Sequence, residues 1–214
     1  MGRVPSFGMT AHDQHSIRFE TDDGVTIAGD LVVPPECHAA AIVCHPHPQY
    51  GGNRFNPVVD ALHRALPTAG VASLRFDFRP TFTDGVGEQL DAQAALDEVE
   101  RTLPGVRTLV CGYSFGAMIA LALDRADIAG RVLIAPPLGD SAGAPSVAVP
   151  TLVLTPAHDQ FAPPAVARPI VERWADAEFG VIDMADHFVA GQTGAVAARV
   201  TKWISDRWPP RSRP

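Results

Sequence analysis

The sequence predicts an α/β fold, a mostly parallel central sheet with helices on both faces. Three observations predict it. Strand-like and helix-like runs alternate along most of the chain. Several strand-like runs are almost wholly apolar, as in "AAAIVCHP" at 39–46, which is the composition of strands covered on both faces. A glycine-flanked turn, "GYSFG" at 112–116, leads straight from one such run into a helical one. Alternation of this kind buries a parallel sheet between helix layers, and right-handed crossovers then place ligand chemistry at the carboxyl ends of the strands.

The elements follow in order. "SIRFETDD" (16–23) and "VTIAGDLVVP" (25–34) read as two strands meeting at Gly24, an antiparallel hairpin at the start of the sheet. After the strand at 39–46, apolar residues recur at helical spacing over 56–70, with Asn56 as cap and Gly70 as stop. "VASLRFDFR" (71–79) is a strand and 88–103 an amphipathic helix. "RTLVCGYS" (107–114) is a strand, followed by a helix over 115–126. Strands at 131–137 and 151–159, a helix at 163–176, a strand at 177–184 and a helix at 194–208 complete the alternation. Residues 138–150, rich in Gly, Ala, Ser and Pro without periodicity, form a loop too short for a lid domain. The expected organisation is an N-terminal extension (1–14), one domain (15–208) and a C-terminal tail (209–214).

Composition narrows the function. The 214 residues are 46% hydrophobic and 19% charged, enough for one domain with a substantial core. A net charge of -7 makes the chain a poor binder of phosphate backbones, so no nucleic-acid partner is expected. No apolar stretch approaches the ~20 residues of a membrane span. Three cysteines, Cys37, Cys44 and Cys111, two of them in apolar strand runs, read as buried thiols of a reducing, cytoplasmic compartment. The start matches the M-G-x-x-x-S pattern of a myristoylation site, a pattern that chance often produces, and Met9 is a second candidate start.

Ser114 carries the chemistry. A G-x-S-x-G turn between strand and helix is too sharp for flanking side chains, and it lifts the serine above the sheet edge at a helix N-terminus. The plainer alternative is a capping serine in a Gly-rich turn. A serine nucleophile needs a base. Of eight histidines, His187 lies in a loop before the last helix, where the third member of a triad falls in chain order. The base needs an orienting carboxylate. Asp159, closing the strand at 151–159, is favoured over Asp186, whose carboxylate is adjacent to His187 and badly placed to reach its Nδ1. An oxyanion needs backbone N–H donors. Phe115 supplies one, and the loop 45–53 the other. Pro46 and Pro48 have none to give, which leaves His47 as first choice and Tyr50 as second among its amides. Tyr50, Phe82, Phe161 and Phe188 are the expected substrate-binding side chains, around a partly apolar acyl or alcohol site.

The segments "CHPHPQYGG", "LRFDFR", "CGYSFGA", "IAPP", "PAHDQFAPP" and "ADHF" occur in this order. With them the chain resembles a group of small, lidless α/β-hydrolases over residues 15–208, and dienelactone hydrolases more distantly. The latter use a cysteine nucleophile where this chain has Ser114. The resemblance implies the α/β-hydrolase fold with an antiparallel first pair, and hydrolysis of an ester-like bond of a small molecule without cofactor or metal. It departs at 80–87, where "PTFTDGVG" stands in place of the group's Gly-rich "GVGxSxG" text, altering a loop beside the pocket. Two other readings are a metal-dependent hydrolase using His45 and His47, and a non-catalytic binding protein of the same fold.

Overall fold

The structure is a computed structural model that describes residues 14–139 and 143–209. The extension expected at 1–14, with the myristoylation pattern, lies outside the described residues except for Gln14, as do residues 210–214 of the tail.

Eight strands form one sheet in the order β1-β2-β4-β3-β5-β6-β7-β8. They are β1 (Gln14–Glu20), β2 (Thr26–Val32), β3 (Ala39–Cys44), β4 (Val71–Phe76), β5 (Arg107–Tyr113), β6 (Ile128–Ile134), β7 (Thr151–His158) and β8 (Ala177–Asp186). The helices are α1 (Pro57–Thr68), α2 (Val86–Thr102), α3 (Phe115–Ala122), α4 (Pro164–Val171) and α5 (Thr193–Arg207). The β1–β2 hairpin is antiparallel, and β2 runs antiparallel to β4; every pairing from β4 to β8 is parallel.

Alternation along the covered strands fills two cores. Ile42, Leu74, Val110, Leu133 and Val153 face α2, α3 and α4. Val43, Leu109, Cys111, Val132 and Leu154 face α1 and α5. Strand order reverses at β3 and β5, so the crevice beyond their carboxyl ends is the topological switch point, where ligands of such sheets bind. No described helix is long and apolar enough to cross a membrane.

Several ends differ from the sequence expectation, each for a tertiary reason. The helix expected over 115–126 stops at Ala122. Leu123 is extended (φ -65°, ψ 123°), and the wholly buried Arg131 takes the carbonyls of Ala120 and Leu123 at 3.0 and 2.7 Å, so no further turn is needed to satisfy them. The strand expected to reach residue 79 ends at Phe76, because Phe78 N–H donates to His45 Nε2 (3.0 Å) and Arg79 turns to the buried Asp91, its Nε and Nη2 donating to Oδ1 and its amide to Oδ2. Strand β8 runs on to Asp186 by pairing with His158 across a register shift.

His63, on the inner face of α1, bonds Ser73 Oγ through Nδ1 at 3.0 Å, while its Nε2 is buried without a partner. Burial, helped by the Arg75 guanidinium, pushes its pKa down from 6.5 to about 4. The unfolded chain therefore binds this proton below pH 6.5 and the folded chain only below about 4. Stability falls between these values as pH drops, by about 3 kcal/mol from this group. Urea unfolding of wild type and His63→Gln at pH 7 and pH 4 is expected to show the wild type losing more; equal losses would contradict it.

Candidate active site

The turn after β5 is built by close backbone contact. A Cβ on Gly112 would lie 2.2 Å from Gly116 O, and one on Gly116 would lie 2.3 Å from Cys44 O. Ser114 sits at φ 54°, ψ -116°, a conformation that costs a non-glycine residue about 1–3 kcal/mol and persists only where the surroundings enforce it. Its N–H donates to Ile134 O at 2.9 Å, tying the turn to β6. The side chain stands at the N-terminus of α3, over the carboxyl edge of the sheet.

Ser114 Oγ lies 2.9 Å from His187 Nε2. His187 Nδ1 lies 2.9 Å from Asp159 Oδ2, with both side chains buried. The other Asp159 oxygen accepts from Phe161 N (2.8 Å) and Ala162 N (3.1 Å). Burial alone would raise this carboxyl. The hydrogen bond from His187 and the two amides outweigh it and hold Asp159 below its ordinary range. Asp186, by contrast, turns away and accepts from Phe188 N at 3.0 Å. The His187 segment is itself constrained. Met184 and Val189 on either side have positive φ (52° and 56°), and the buried Tyr113 hydroxyl donates to His187 O at 2.8 Å. Burial, with the Asp159 and Asp186 carboxylates, pushes the Tyr113 phenol up to about 12, so it remains a donor.

The loop after β3 makes one turn of 3-10 helix, Pro48–Tyr50. Its amides can be accounted for one by one. Gln49 N donates to His47 Nδ1, Tyr50 N and Gly52 N to His47 O, and Gly51 N to Pro48 O. With Pro46 and Pro48 lacking N–H, the His47 amide is the one within residues 46–52 that no described residue engages. The loop is closed by glycine at two points: Gly51 has φ 83°, and a Cβ on Gly52 would overlap Pro46 O. Beneath it, His45 is buried with both ring nitrogens committed, Nδ1 to Pro46 O (2.6 Å) and Nε2 to Phe78 N (3.0 Å).

A cavity of about 670 Å³ opens over Ser114 and His187. Of the aromatic residues expected there, Tyr50, Phe161 and Phe188 line it. Phe82 is not among the lining residues; its ring stacks against His47 (4.5 Å) and Phe115 (5.6 Å) instead. Asn56, Tyr113, Met118 and Pro137 also line it, none of them expected at the pocket from the sequence. Tyr113 was readable as the residue before Ser114; Asn56 was read only as a helix cap, and nothing marked Met118 or Pro137. The divergent loop at 80–87 is organised by Glu88, wholly buried, which accepts from Thr83 N, Thr83 Oγ1 and Gly85 N at 2.9–3.0 Å.

Two thiols lie close to this site in sequence but are sealed. Cys44 and Cys111 have no exposed surface, and burial raises both, Cys111 to about 12. Cys37, half-buried, precedes β3 at the opposite end of the sheet from Ser114. Activity is therefore expected to survive iodoacetamide and to be indifferent to reducing agent. Rapid inactivation blocked by substrate would contradict this.

No family model matches the chain. An uncharacterized protein of Rickettsia prowazekii, RP471, is 30% identical over 184 residues, which is 77% of each chain. A solved α/β serine hydrolase homologue from Coxiella burnetii is 27% identical and superposes with a TM-score of 0.80 over 93% of this chain and all of its own. XC6422 of Xanthomonas campestris, described as an α/β serine hydrolase without a lid, is 25% identical, with a TM-score of 0.82 over the whole of both chains. The sheet order, the elbow between β5 and α3 and these likenesses agree, and the chain belongs to the small lidless α/β-hydrolases.

Proposed function

We propose that this protein is a serine hydrolase that cleaves a carboxylic ester of a small molecule through an acyl-enzyme. The observation that carries the reading is the continuous chain Ser114 Oγ–His187 Nε2 and His187 Nδ1–Asp159 Oδ2, both links 2.9 Å. His187, neutral and holding its proton on Nδ1 toward Asp159, takes the Ser114 proton on Nε2 as Oγ attacks the ester carbonyl carbon. The carbonyl oxygen gains negative charge and faces the Phe115 and His47 amides, the pair supported by the donor accounting above. Collapse breaks the bond to the alcohol, which leaves with the proton from Nε2. Water then attacks the acyl-Ser114, giving its proton to His187, and the acid departs as Ser114 is restored.

The alternative of a metal held by His45 and His47 loses support from the committed ring of His45. Three free thiols, two of them sealed, favour a reducing, cytoplasmic setting. The test is a fluorophosphonate probe with peptide mapping. Stoichiometric modification at Ser114, with loss of p-nitrophenyl ester hydrolysis, is expected. No modification of the folded protein would sink the reading.

A further inference from the structure

The cavity over Ser114 is lined in large part by apolar and aromatic side chains. Pro46, Tyr50, Met118, Pro137, Phe161 and Phe188 are among its lining residues. Among the described residues that line it there is no Lys, Arg, Asp or Glu. Three rings stand open to a ligand, with Tyr50 87%, Phe161 60% and Phe188 65% exposed. They do not form a cage. Phe161 and Phe188 meet the His187 ring edge-on at 4.5 and 6.0 Å, while Tyr50 leans on His47 at 4.7 Å across the mouth.

Two charged residues close to the lining in sequence are engaged elsewhere. Arg54, two residues past Gly52, is paired with Asp30 and Asp77 and stacked at 4.5 Å over Phe55. Asp186 spends an oxygen on Phe188 N. An ionic group set against these rings would give up part of its water and find no counter-ion among the described lining residues, which is costly. An apolar group entering it would cover three exposed rings.

Resting on the ester-hydrolase reading, we propose that the substrate is an ester uncharged in both its acyl and its alcohol halves. Carboxylate- and ammonium-bearing esters are discriminated against at this pocket. The selection is by desolvation, with no repelling charge in the wall, so introducing one charge should undo it.

Two pairs of esters matched in size test this at pH 7.5. p-Nitrophenyl methyl adipate is compared with p-nitrophenyl hydrogen adipate, and 3,3-dimethylbutyl butyrate with butyrylcholine. The neutral member of each pair is expected to have the higher kcat/KM by about 100-fold. Tyr50→Arg and Phe188→Arg, both at exposed positions, are then assayed on the adipates. At least one is expected to narrow the ratio tenfold or more by raising the rate on the hydrogen adipate. A ratio below tenfold in either pair of the wild type, or no narrowing in both variants, overturns the selectivity while leaving the hydrolase reading intact. If none of the four esters is turned over and the fluorophosphonate leaves Ser114 unmodified, the hydrolase reading has failed and this inference falls with it.

Discussion

Ser114→Ala is expected to lower kcat on a p-nitrophenyl ester by about 10⁴- to 10⁶-fold, the scale on which removal of a serine nucleophile acts. The variant should fold. Alanine is no worse than serine at φ 54°, and the Ser114 amide keeps its bond to Ile134 O. Thermal melting should stay within a few degrees of wild type, so lost activity cannot be assigned to lost structure. Ser114→Gly sharpens the point. Glycine tolerates positive φ, and this variant should be at least as stable as wild type while equally inactive. More than a few per cent of residual turnover in either, with wild-type contamination excluded by active-site titration, would remove Ser114 from the nucleophile's role.

Asp159→Asn should cost about 10⁴-fold in turnover with little change in fold. The geometry says why. One carboxylate oxygen accepts from the Phe161 and Ala162 amides, and in the variant only the amide oxygen of Asn can do so. That turns the new NH₂ toward His187 Nδ1, where a donor now meets a ring nitrogen that must become an acceptor. The ring proton moves to Nε2, facing Ser114 Oγ, and the imidazole can no longer accept the serine proton. Asp186→Asn should be mild, because its side chain caps the turn at Phe188. Measuring kcat for both variants decides the matter: a crippled Asp186→Asn and a mild Asp159→Asn would reverse the assignment.

Much of this was legible in the sequence because it rests on local patterns. The covered strands, the helix spacing and the glycine-flanked serine all depend on neighbours within a few residues. Asp159 was preferred over Asp186 on a local argument too, the short reach between adjacent side chains. What was not legible depends on bonds across the fold. The end of α3 is set by Arg131, eight and eleven residues away in sequence, whose wholly buried guanidinium also takes Val147 O. The choice between His47 and Tyr50 turns on a 3-10 turn that uses the Tyr50 amide. Phe82 was expected at the pocket because it is aromatic and lies in the loop beside it. Glu88, buried at the start of α2, gathers the 80–87 loop, and Phe82 stacks on His47 and Phe115.

The contact at Gly116 has a consequence for motion. Nucleophile turn and oxyanion loop meet backbone to backbone, with no room for a methyl group between Gly116 and the Cys44 and His45 carbonyls. No side-chain rotamer lies between them to flip. A site assembled by closure is competent only for the fraction of time it is closed, and its apparent affinity is reduced by that fraction. In the proposed mechanism these are the two halves that meet around a carbonyl, and their backbones already touch without a ligand. Binding therefore bears no such reduction from these elements.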